Sequence, residues 1–203
     1  MKKAWVERYI TDSDDHFSRR ILASAVYNYM SHASIINCLM HFAKRNDKDE
    51  RGFLPGLLKS LSKLNRDQMA YFRFFGLIID LLKNKPGQKF AATMVQEFVA
   101  IEQQILEDLF KLCGGSVKLG DMDLDLNSLK KRLFYQADLC MSELGFTPSF
   151  KVKDPLSWIE MMIILEHKKD DMEHGVYEGP KAQVEVKQKP VADKVVFSLD
   201  EDF

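Results

Sequence analysis

The chain has 203 residues, enough for one domain with a substantial core. Lys and Arg number 29 against 30 Asp and Glu, a net charge of -1 that gives no general reason to expect nucleic acid or an anionic membrane as partner. Cys38, Cys113 and Cys140 are scattered, odd in number and without Cys-x-x-Cys spacing, which predicts reduced thiols in a cytoplasmic compartment. No apolar run approaches the roughly 20 residues that span a bilayer, and "MKKAWVERYITDSDDHF" lacks the apolar core of a secretory signal.

In sequence order, the spacing predicts a first long helix from about Asp14 to Arg45, with a polar exposed loop, "NDKDER", at 46–51. "GFLPGLLKSLSKL" reads as a turn and short helix, followed by a helix from about Arg66 to Leu82. The part from Phe74 to Leu82 is apolar on almost every side, so it needs burial from several directions. After "KNKPGQK" a helix starts near Phe90, with Phe98, Ile101, Ile105, Leu109 and Leu112 as its apolar stripe and Gly114-Gly115 as its stop. A further helix runs from about Asn127 to Leu144 and closes at Gly145, the place for a C-cap glycine. In "DPLSWIEMMIIL" Asp154 is the expected N-cap and Pro155 the first helical residue of a last helix. No strand pattern of useful length occurs, so the fold class is all-α.

From about residue 168 the composition changes. "KKDDMEHGVYEGPKAQVEVKQKPVADK" offers little to bury, so disorder is expected there. The end, "VVFSLDEDF", combines apolar anchors with three acids and a free carboxylate, which suits a ligand for a partner's groove. The reading is a helical domain over 1–167 and a flexible tail over 168–203.

Several segments in order resemble the small subunit of class I ribonucleotide reductase, a ferritin-like di-iron protein. "KKAWVERYI" is similar to that family's Lys-Ala-x-Trp-x-x-Arg-Trp-Ile, "GFLPGL" to Gly-Leu-x-Pro-Gly-Leu, and "IEQQIL" to Ile-Glu-Gln-Glu-Phe-Leu. "ADLCMSELGF" is similar to Ala-Asp-x-x-x-x-x-Leu-Gly-Phe, "DPLSWIE" to Asn-Pro-Phe-x-Phe-Met-Glu, and "FSLDEDF" to the ending Phe-Thr-Leu-Asp-Ala-Asp-Phe. The resemblance spans the whole sequence but only the C-terminal half of a usual small subunit, and it implies a truncated ferritin-like helical bundle.

The resemblance also implies where metal ligands belong. The family's Ser-Arg-Asp-Glu-x-x-His offers Glu and His to iron from one helix face, because positions i and i+3 converge. Here Arg66 and Asp67 match, but Gln68 stands for the Glu and Tyr71 for the His. Counting without gaps from Trp5 puts a third ligand position on Asn28. The other three ligands and the radical tyrosine belong to the half outside the match. An amide is a poor substitute for a carboxylate at a hard, oxygen-liganded site, and a neutral phenol coordinates feebly. The expectation is therefore no metal and no cofactor of its own, although the family binds a di-iron centre. No Glu-x-x-His occurs elsewhere; Asp171 and His174 share the spacing by chance, and His32 and His41 read as rim or partner-facing residues.

Asp67 and Tyr177 match family positions in the radical relay, and without a radical they are relics; beside Arg66, Asp67 is expected to satisfy a buried polar network. Phe197, Leu199, Asp200, Asp202 and Phe203 match the family's large-subunit-binding end. The partners implied are the reductase large subunit and a complete small subunit or a second copy, with no nucleic acid and no membrane. Without the other half, the helix around 76–82 would leave an apolar surface bare, softened by Asn37, His41 and the 46–51 insertion. The leading reading is a catalytically silent small-subunit-like protein supporting or modulating deoxyribonucleotide synthesis. The alternatives are half of a split, catalytically competent small subunit and a helical adaptor unrelated to the reductase.

Overall fold

A computed structural model describes residues 1–11, 16–43, 55–115, 117–119 and 122–173. The sequence assignments at 46–51, at Tyr177 and at residues 195–203 lie outside these residues. The described part is a helical bundle: α1 (Lys2–Val6) running into a π-helical turn over Glu7–Thr11, then α2 (Phe17–Met30), α3 (Ala33–Ala43), α4 (Pro55–Leu81), α5 (Gln88–Leu112), α6 (Leu126–Glu143) and α7 (Trp158–Glu173). Between α5 and α6 a small antiparallel hairpin pairs β1 (Val117–Leu119) with β2 (Met122–Leu124), too short to change the all-α class.

The expected helix from Asp14 to Arg45 is in fact two, broken at Ser31–His32. Polar side chains at the break give the backbone partners outside the helix. The Ser31 hydroxyl bonds His32 Nδ1 at 2.8 Å, and the Ser31 carbonyl takes the Lys2 ammonium. Just beyond, the Ser34 amide donates to Glu102 Oε2 at 3.2 Å and its hydroxyl bonds the same carboxylate. The opposite correction applies to α4: the short helix and the Arg66 helix are one, 27 residues long. Pro55 at its first position is compatible with helix, and Gly56 falls in the first turn, where it interrupts little.

Both glycine stops behave as read. Gly145 has φ 78°, with Phe146 N donating to Met141 O at 2.8 Å and Gly145 N to Ser142 O at 3.0 Å. Gly114 and Gly115 (φ 75° and 89°) close α5 in the same way, Gly115 N reaching Phe110 O at 2.7 Å. Both ends of α7 differ from expectation: residues 168–173, expected in the disordered tail, continue the helix to Glu173 because the helix hydrogen-bond ladder carries on past the last apolar residues. Residues 155–157 form a turn, and helix begins at Trp158. Asp154 Oδ1 accepts from Leu156 N at 2.8 Å, while Oδ2 is held by buried Arg132, which also reaches Glu160 at 3.5 Å.

The core lies where α5 meets α1, α2 and α6. Trp5 stands edge-on to Phe98 at 4.7 Å and contacts Tyr9 at 5.0 Å. The buried seam of α5 is Ala91, Met94, Val95, Phe98, Val99, Glu102, Leu106 and Phe110, whereas Ile101, Ile105 and Leu109 flank it and Leu112 is exposed. The expected stripe is rotated from the observed one because a glutamate occupies the middle of the true seam.

Candidate functional site

The three positions that would carry metal ligands lie on two packed helices, Asn28 on α2 and Gln68 and Tyr71 on α4. Tyr29 and Phe72, the immediate neighbours of Asn28 and Tyr71, bring their rings to 4.6 Å. Asn28 is half-buried, and its Oδ1 is shut from solvent with no hydrogen-bond partner among the described residues. Gln68 is half-buried, while Tyr71 is 61% exposed. Two amides and a phenol do not fit a di-iron centre, which needs anionic oxygens to neutralise the ions. Among the described residues no cluster of three or more His, Cys, Asp or Glu could hold a metal ion.

Asp67 is exposed on α4, so the expected buried network beside Arg66 is not where this carboxylate sits. Asn37, expected to make the bare surface more polar, is instead buried and donates from Nδ2 to Gln136 Oε1 at 2.7 Å. His41 is half-buried with its ring 5.9 Å from Trp158, and His32 is exposed.

The apolar surface around 76–82 is bare as anticipated. Phe74, Leu77 and Leu81 on α4 are exposed, as are Met161, Ile164 and Leu165 on neighbouring α7, while Ile79 is fully buried.

Sequence reasoning passed over a buried polar cluster. Glu102 is 0% exposed and meets Lys2 Nζ at 2.5 Å as well as Ser34. Burial pushes its carboxyl above the usual glutamate range, against the lowering pull of Lys2 and the Ser34 amide. The signal was a charge on the apolar face of α5, visible once the seam is drawn through residues 98, 102 and 106. Burial likewise pushes the Cys38 thiol up to about 12 and raises that of Cys140, so both are poor nucleophiles. Asp138 on α6, part of "ADLC", is buried and accepts from Ser149 N at 2.9 Å and Phe150 N at 2.8 Å, pinning the segment that leads to α7.

Residues 1–155 match the model of the family described as ribonucleotide reductase, small chain. The protein is 30% identical over 204 residues to a ribonucleoside-diphosphate reductase small chain of Arabidopsis thaliana, covering 100% of its own length and 57% of that relative. It is also 30% identical over 203 residues to ribonucleoside-diphosphate reductase subunit M2 of Homo sapiens, covering 100% of its own length and 48% of that relative. It thus spans about half the length of these relatives. Among solved structures, the ribonucleotide reductase Rnr4 homodimer from Saccharomyces cerevisiae matches with a TM-score of 0.63 at 23% identity, over 85% of this protein and 50% of that one, a likeness of fold. No helix among the described residues is long and apolar enough to cross a membrane.

Proposed function

Because the chain belongs to the ribonucleotide reductase small-chain family, we propose that it serves the reductase without a metal site or radical of its own. In this reading it binds the large subunit through the segment that follows α7, at Phe197, Leu199, Asp200, Asp202 and Phe203, and supports or modulates deoxyribonucleotide synthesis. The observation that carries it is the donor set Asn28, Gln68 and Tyr71 on otherwise well-formed helices α2 and α4. Asp67 and Tyr177 are then idle relay positions.

Docking needs no iron. Phe197 and Phe203 are large apolar anchors, and Asp200 and Asp202 steer the segment toward a basic groove, an effect that salt weakens. The test is binding of purified large subunit from the same source to the full-length protein and to its Phe203→Ala variant. Affinity is expected to fall at least about tenfold, as for loss of a buried anchor; equal affinity refutes docking through this end.

The second reading is half of a split, catalytically competent small subunit, which the membership in the small-chain family also allows. Metal analysis and electron paramagnetic resonance of the purified protein separate the two. Stoichiometric iron or manganese with a tyrosyl radical overturns the silent reading.

A further inference from the structure

We propose that the cleft between the π-helical turn and the start of α5 is a binding site for a small organic phosphate, held by its phosphate group on Arg8, Arg19 and Lys89. The cleft has a volume of about 580 Å³, the size of a small-molecule site. Its cations come from three different elements: Arg8 from the turn, Arg19 from α2 and Lys89 from the first turn of α5. A chain of net charge -1 has no general excess of cations, so this local convergence points to an anion.

The start of α5 adds to that field. Its N-cap, Gly87, is extended (φ -73°, ψ 149°) and has no side chain to take the first amides of the helix, and no acid occupies the first turn. Amides without an intrahelical acceptor at a helix N-terminus are ready donors to phosphate oxygens. This end is also held in place. The Gln88 side chain exchanges two bonds with the Thr147 backbone, Nε2 donating to O at 3.1 Å and Oε1 accepting from N at 2.9 Å.

Charge balance selects a dianion. Glu97 Oε2 accepts from Arg8 Nη1 at 3.2 Å and from the Tyr9 hydroxyl at 2.8 Å, which offsets one of the three positive charges. The two that remain match a phosphate monoester better than a carboxylate or a sulfonate. The Arg19 guanidinium lies 4.7 Å from the Phe90 ring centroid, a stack that orients its fork before a ligand arrives. Phe90 meets Tyr9 edge-on at 6.1 Å, and the two rings give the cleft an apolar wall for the organic part of the ester.

The rim is polar: Arg8, Lys89 and Thr93 are exposed, in contrast with the apolar faces of α4 and α7. Cations are costly to bury beneath further helices, so this opening suits water and a charged ligand. The site shares no residue with the docking segment or with Asn28, Gln68 and Tyr71, and it does not depend on the function proposed above.

The test is titration calorimetry of the 203-residue protein with phenyl phosphate, inorganic phosphate and benzenesulfonate at neutral pH and low salt. Single-site binding of phenyl phosphate is expected, tighter than that of inorganic phosphate and at least about tenfold tighter than that of the singly charged sulfonate. Arg19→Gln is expected to weaken it at least about tenfold, as for a lost charge-assisted fork. Lys89→Gln is expected to weaken it about threefold, as for an exposed charge. Arg19→Lys keeps the charge without the fork and is expected to fall between the parent and Arg19→Gln. Lys111→Gln, at the opposite end of α5, is expected to bind as the parent does, and circular dichroism confirms that each variant is helical. No saturable binding, equal affinity for the sulfonate, or unchanged affinity in helical Arg19→Gln or Lys89→Gln each overturns the proposal. Inorganic phosphate binding as tightly as its phenyl ester overturns the assignment to an organic phosphate.

Discussion

The two sides of this bundle solve the same packing problem differently. Along the buried seam of α5 the large groups are enclosed: Phe98 lies against Trp5 and Tyr27, and even a carboxylate, Glu102, is buried against Lys2 and Ser34. On α4 and α7, the outer faces carry equally large apolar residues with solvent in front of them. Composition does not separate the sides, since each is rich in Phe and Leu. The difference is that α5 is surrounded by α1, α2, α3 and α6, whereas α4 is covered by α2, α3 and α7 on one side. An exposed apolar surface of this size marks an interaction site.

The contrast is broken most sharply by truncating one phenylalanine on each side. Phe98→Ala is expected to cost about 4 kcal/mol by denaturant unfolding, the transfer loss plus a cavity. Phe74→Ala is expected to stay within about 0.5 kcal/mol for the unassociated protein, because more than half of that residue faces solvent. Equal losses would show that the α4 face is buried within a single copy.

The polar part of the closed side sharpens the comparison next. Glu102→Ala leaves Lys2 and Ser34 without their carboxylate and is expected to cost about 2 kcal/mol, less than for a fully buried pair because Lys2 is partly exposed. Its pH dependence has a definite sign. The folded pKa lies above the ordinary 4.5, so the folded state holds this proton more tightly than the unfolded state does. The stabilisation is complete below 4.5 and is lost as pH rises through the folded value. Glu102→Gln keeps hydrogen-bonding capacity and removes the titration, so its unfolding midpoint is expected to vary less between acid and neutral pH than that of the parent.

The smallest effect belongs to a cap that both sides could lack without consequence for the contrast. Asp125 accepts from Asn127 N at 3.1 Å and Ser128 N at 2.9 Å at the start of α6, and the Ser128 hydroxyl, the largest influence, holds its carboxyl below the usual range. Asp125→Ala is expected to cost about 1 kcal/mol in thermal unfolding.

What could be read in advance follows the range of each interaction. The glycine stops at Gly114-Gly115 and Gly145 depend on local φ, and they hold. The bare segment around Leu77 and Leu81 was visible as a helix apolar on too many sides. The break at Ser31–His32 was not, because it depends on Lys2 and Glu102 arriving from remote parts of the sequence. The rotated stripe of α5 fails for the same reason: a glutamate looks like a surface residue until Lys2 and Ser34 are seen beside it. At the candidate site, Asn28, Gln68 and Tyr71 were found by counting and by resemblance. The closed-off Oδ1 of Asn28 and the exposure of Tyr71 come from the packing of α2 on α4, which no spacing encodes.

The clamp of Arg132 on Asp154 and Glu160 has a mechanical side. It rivets the root of α7 to the body, while the outer flank of the same helix, at Met161, Ile164 and Leu165, is exposed. A tug applied beyond Glu173 therefore meets its firmest resistance at the root and its weakest at the tip. Such a load would unzip α7 backward from its far end before the rivet yields, so the helix gives way by turns and spares the bundle.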